Sequence, residues 1–119
     1  MSVRISNNAS TTLNGAVSSS ATSIVVNDIS KFPTLSSGEY TYLTLANATE
    51  TKIEIIKVTS INTSTKTLTA IRAQDNTGAQ AFSSGDICEL RMTAALLNDA
   101  ASRNDDPAGT AVAMAIALG

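Results

Sequence analysis

Through its first ninety positions the chain alternates β-branched or threonine-rich runs with turn-formers placed every few residues. That pattern is what an antiparallel β domain requires. The strongest run, Lys52–Ile61, changes apolar phase between Ile55 and Ile56, which predicts a bulge or a strand buried on both faces. Asn62-Thr63-Ser64-Thr65-Lys66 then reads as a compact polar turn, and Thr67–Arg72 as the returning strand of a hairpin. Upstream, Tyr40-Thr41-Tyr42-Leu43-Thr44-Leu45 alternates, with Leu43 and Leu45 on one face and the tyrosines on the other, as in a half-buried strand.

Weaker signals fill in the rest. A short strand is expected around Thr11–Ala16, a turn at Ser18-Ser19-Ser20 and a strand at Thr22–Asn27. Pro33 lacks an amide donor and holds Phe32 extended, so Lys31-Phe32-Pro33 is a loop. Residues 73–85 make a longer loop, and Asp86–Met92 a last strand with Cys88, Leu90 and Met92 on one face. At Thr93 the pattern changes. Thr93 can cap a helix over Ala94–Ala101, where alanine and leucine favour helix.

The expected fold is therefore mainly β: an antiparallel β-sandwich or barrel with a short C-terminal helix and extended terminal arms. Residues 1–10 form a polar N-terminal arm, 11–101 the β domain with its helix, and 102–119 a linker followed by an apolar docking segment. In that segment Val112, Met114, Ile116 and Leu118 recur at every second position with alanine between them. The period of two favours a strand, with an alanine-rich helix as the alternative. An extended segment of this kind can add to a sheet edge on another subunit, with these four side chains in pockets. The alternative is that it folds back onto its own domain.

Composition narrows the chemistry. One cysteine and no histidine leave no intramolecular disulfide, no Ser-His or Cys-His nucleophile and no credible zinc, haem or iron–sulfur ligand set. No catalytic residue, cofactor or metal is expected. Asp105-Asp106 lacks the alternating ligands of a calcium loop and reads as a solvated turn. Glu50, Glu54 and Glu89, with Lys52, Lys57 and Arg91, lie along strands and read as water-facing cross-strand pairs. Cys88 reads as a buried small hydrophobe. The isolated glycines make no phosphate loop, and the three Asn-x-Ser/Thr tripeptides read as chance.

Charged residues are 15% of the chain, with a net charge of −2, while Ser and Thr number 15 and 16. The surface is therefore polar but weakly charged, with no basic footprint for nucleic acid. No apolar run is long enough to span a bilayer, and Met1–Asn8 has no apolar core, so the expectation is a protein made and kept in the cytoplasm until assembled. Tyr40 and Tyr42 are candidates for a subunit contact or, less economically, for a sugar platform.

From Asn8 to Asp99 the chain resembles a small β module of tailed bacteriophages, found as a short virion protein or at the front of tail-fibre-like proteins. The resemblance rests on Thr12-Leu13, Thr22-Ser23-Ile24-Val25-Val26, Phe32-Pro33, Gly38–Leu45, Glu54–Thr59, Leu68–Gln74, Ala81–Asp86 and Leu90–Ala95. Gln74-Asp75-Asn76-Thr77 stands where that module has a more glycine-rich turn. The resemblance implies a non-enzymatic structural protein of the virion, docking to other tail or capsid subunits as a fibre base, adaptor or decoration protein. It also implies a homo-oligomer, a trimer on the threefold symmetry of capsids and fibres. A carbohydrate-binding module that contacts the host surface through Tyr40, Tyr42 and the Asp75–Gln80 loop is the alternative.

Overall fold

The structure, a computed structural model, describes residues 2–102. Its elements are β1 (Ser2–Val3), β2 (Ser10–Thr12), β3 (Ser23–Val25), β4 (Glu39–Ala46), β5 (Ile53–Asn62), β6 (Thr67–Gln74), β7 (Ile87–Glu89) and the helix α1 (Ala94–Ser102). Six strands pair antiparallel in the order β2-β7-β4-β5-β6-β3, and β1 adds to β4 in parallel. The domain is mostly β with one C-terminal helix.

The long central strands follow the sequence closely. Asn62 shapes the β5–β6 turn, its Oδ1 accepting from the amides of Ser64 and Thr65 at 3.0 and 3.1 Å. That side-chain turn leaves Lys66 in the left-handed region at φ 55°. The phase change in β5 has both of its expected consequences. Ile55 and Ile56 face opposite sides yet both are buried, and the register against β6 shifts between Ile55 and Lys57.

The sheet departs from the expected sandwich or closed barrel. It is one curled, open sheet, a half-barrel, whose edge strands β2 and β3 touch at a single bridge, Leu13 opposite Val26. Both edge strands are three residues long, too short to zip a full ladder across the seam. The concave side holds the main core: Leu13, Val17, Ile24, Val26, Leu43, Leu45, Ile56, Val58, Leu68, Phe82 and Cys88 among its members. Burying a side chain of this size contributes roughly 1.5–3 kcal/mol, so this cluster dominates folding.

Other expectations shift as well. β4 is buried on both faces rather than half-buried, because α1 covers its tyrosine side. The last strand stops at Glu89, and Met92 lies 63% exposed instead of joining Cys88 in the core. The stretch read as an N-terminal arm enters the fold at Val3, fully buried beside β4, and again at Ala9, which sits in the main core. The segment 103–119, with Val112, Met114, Ile116 and Leu118, lies outside the described residues.

Candidate functional site

Three groups of residues stand out on this scaffold, and only one of them is open to a partner. The first is interior. Glu54 is in phase with Ile56 and Val58, so β5 carries it to the concave side, opposite Leu45 and fully buried. It does not face water in a cross-strand pair. Its carboxylate accepts from Arg72 Nε at 2.8 Å, Arg72 Nη2 at 2.7 Å, and the backbone amides of Ala73 and Gln80 at 2.9 Å each. The remaining guanidinium hydrogens go to carbonyls: Nη1 to Ser18 and Ala21 at 2.6 and 3.0 Å, and Nη2 to Gln80 at 2.6 Å. With those bonds all five N–H donors of Arg72 are used.

Burial alone would push the Glu54 carboxyl up, but the bonds from Arg72, Gln80 and Ala73 outweigh it and hold the carboxyl below the usual range. Ala73 is held at φ 55°, a left-handed conformation that costs an alanine about 1–2 kcal/mol. The charge-assisted bond from its amide to Glu54 offsets that strain. This pair ties β5 and β6 to the loops at 18–21 and 73–80. A carboxylate and a guanidinium so fully occupied have no acid, base or ligand capacity to spare.

The second group lies on the convex side of β4. Tyr40 and Tyr42 meet edge to face with ring centroids 5.7 Å apart. α1 covers them, burying Leu96 against Val3, Tyr40, Tyr42 and Ile55. Both tyrosine hydroxyls donate to Asp99 Oδ2, at 2.6 and 3.0 Å. Burial and this carboxylate push the Tyr42 hydroxyl up to about 12 and the Tyr40 hydroxyl higher still. The helix is capped twice at its start: Thr93 Oγ1 accepts from the Leu96 amide, as the sequence predicts, and Asp75 Oδ2 from the Ala95 amide. Tyr40 and Tyr42 are thus brought together, but 8% and 7% exposed beneath the helix rather than open to solvent. Lys57, whose ammonium lies 4.3 Å from the Tyr40 ring centroid, is taken up by the same group.

The third group is the rest of the convex face. Cross-strand register places Val25, Thr67 and Asn62 in one row, Ser23, Thr69 and Ser60 in the next, and Ile71 beside Lys57 in a third. Ile71 is 50% and Val25 39% exposed, with Ser and Thr between them and Lys57 as the one charge in these rows. Sequence reading missed this surface. Its signal was present: Val25 and Ile71 are out of phase with the buried Ile24, Leu68 and Ala70 of their own strands.

The remaining polar features are structural. Arg91 bridges Glu50 and Glu89 at 2.7 and 2.5 Å near the surface, but Arg91 and Glu50 lie outside the strands and Glu89 is two residues from Arg91, so this is not the expected cross-strand pairing. Burial pushes the Cys88 thiol up to about 12, so it is an inert core group. The Thr41 and Thr44 hydroxyls are buried without a hydrogen-bond partner, on opposite faces of β4, and converge on nothing. Among the described residues no three His, Cys, Asp or Glu side chains cluster as metal ligands, and no helix is long and apolar enough to cross a membrane. In comparison with known proteins, no family model and no curated protein matches the chain.

Proposed function

We propose that the protein is a non-enzymatic structural component of a tailed-bacteriophage virion, working by docking to copies of itself and to neighbouring tail or capsid subunits. The observation that carries this reading is the open convex face of β3, β6 and β5, where Val25 and Ile71 stand exposed among uncharged Ser and Thr. A charge-poor face with apolar anchors suits contact with another protein, since interface centres are depleted in charge. The resemblance to the phage β module supplies the setting, a fibre base, adaptor or decoration protein in the assembled particle. A trimer is the expected assembly, each copy presenting the same face to its neighbour. The glycan-binding alternative needs Tyr40 and Tyr42 as a platform, and α1 occupies that side.

Light scattering of the full chain at micromolar concentration, together with imaging of particles, tests the reading. A trimer that Ile71→Lys with Val25→Lys dissociates, and density for the chain on the particle, are expected. A monomer that is also absent from particles would overturn it, and selective signal on a glycan array would move the reading to carbohydrate binding.

A further inference from the structure

The open convex patch and the covered tyrosines are one surface in the register of the sheet. Tyr42 of β4 pairs with Lys57 of β5, and Lys57 with Ile71 of β6, so the three lie in a single cross-strand row. α1 lies against β1 and β4 and cuts this row, leaving Tyr42 7% exposed at one end and Ile71 50% exposed at the other. The same cover hides Tyr40, Ile55 and Val3.

The cover is held by few groups. Of residues 94–101 only Leu96 is fully buried, and the rest of the attachment is the two caps at the start of the helix and the two tyrosine hydroxyls on Asp99. Its last turn has no basic side chain and carries Asp99, the wrong sign for the carbonyl end of a helix. The connector from β7 is anchored at Leu90, whose amide donates to the Ala9 carbonyl at 2.9 Å, and at Arg91 by its two carboxylates. A pivot at Met92 and Thr93 therefore frees α1 without disturbing the main core, which lies on the other face of the sheet.

With α1 in place the open rows present eight side chains, whereas a stable interface takes about 20–30 residues a side. Tyrosine is among the residues that anchor interface centres, and both tyrosines of the chain sit beside this patch under the helix. The open patch alone is too small for a stable contact, and the surface that would complete it is the one α1 covers.

We propose that α1 is a detachable cover on the docking face, displaced when a second copy of the chain packs against Tyr40, Tyr42 and Ile71 as one continuous surface. The proposal rests on the docking reading above and adds its regulation: self-association is held back by the fraction of copies in which α1 is released.

Sedimentation equilibrium of the full chain tests it together with hydrogen exchange of the assembled state. Leu96→Ala should lower the concentration of half-association at least tenfold, Asp99→Asn should act in the same direction, and adding Ile71→Lys to either should remove the gain. Ala101→Lys, which puts a cation in the last turn, should weaken association about two- to fivefold. In the assembled wild-type chain the amides of α1 should exchange faster than in the monomer, while those of β5 and β6 should not. Three results would overturn the cover and leave the docking reading standing: a wild type that Ile71→Lys dissociates but that Leu96→Ala and Asp99→Asn do not tighten, a gain that survives Ile71→Lys, or an α1 that stays protected in the assembled state. A chain that is monomeric in every variant would overturn both.

Discussion

Glu54 and Asp99 are both carboxylates that gather donors from distant parts of the chain, and they hold the molecule in different ways. Glu54 is fully buried, takes four hydrogen bonds and faces a guanidinium whose every donor is used. Asp99 takes two hydroxyls and rides on a helix of nine residues that could not persist alone in water. The first is built into the curl of the sheet, whereas the second clasps an added element onto it. Charge on a strand can thus be a core component, while aromatic side chains that look like a binding platform can serve to seat a helix.

Breaking the interior pair should have the largest effect. Glu54→Gln leaves Arg72 charged and uncompensated in the interior, and should lower stability by about 3–5 kcal/mol in denaturant unfolding. A buried ion pair can often be replaced by apolar residues at little cost. Here the double replacement Glu54→Met with Arg72→Leu should stay destabilised, because it strands the amides of Ala73 and Gln80 and the carbonyls of Ala21 and Gln80. Full recovery in the double variant would reduce the pair to simple charge compensation.

The helix contact comes next. Leu96→Ala should cost about 2–3 kcal/mol, at the low end for a buried leucine because the site can open outward, and should loosen α1 while β5 and β6 keep their protection. Asp99→Asn should cost about 1–2 kcal/mol for two weakened hydrogen bonds. A shift in the sheet's own exchange rates in either variant would show that helix and sheet are one cooperative unit.

pH separates the two regions by sign. The Glu54 carboxyl is lower in the folded state than in the unfolded chain, so its contribution is present above about pH 4 and is lost as pH falls through the folded value. The Tyr42 hydroxyl is raised to about 12, so its contribution is full below about pH 10 and is lost as pH rises through 12. Acid should therefore attack the sheet, and alkali should release α1 first, which far-ultraviolet circular dichroism with tyrosine absorbance would separate.

Much of this was legible in the residues and some was not. The Ile55–Ile56 phase change gave the double burial of β5, and Thr93 the start of α1, because both are local signals of period and capping. The partners of Glu54 and Arg72 were hidden by the usual habit of charges on strands. Each is nevertheless in phase with the apolar set of its own strand, Ile56 and Val58 for one, Leu68 and Ala70 for the other. The openness of the half-barrel could not be read, since it depends on how few residues β2 and β3 pair across the seam. The covering of Tyr40 and Tyr42 depends on Asp99 arriving from 57 and more positions away.

Native-state hydrogen exchange over a range of subdenaturing denaturant tests the central contrast most directly. The amides of α1 should exchange through a local opening with little denaturant dependence, while those of β5 and β6 exchange only through global unfolding. Equal opening free energies and equal denaturant slopes in α1 and in β5 and β6 would contradict it.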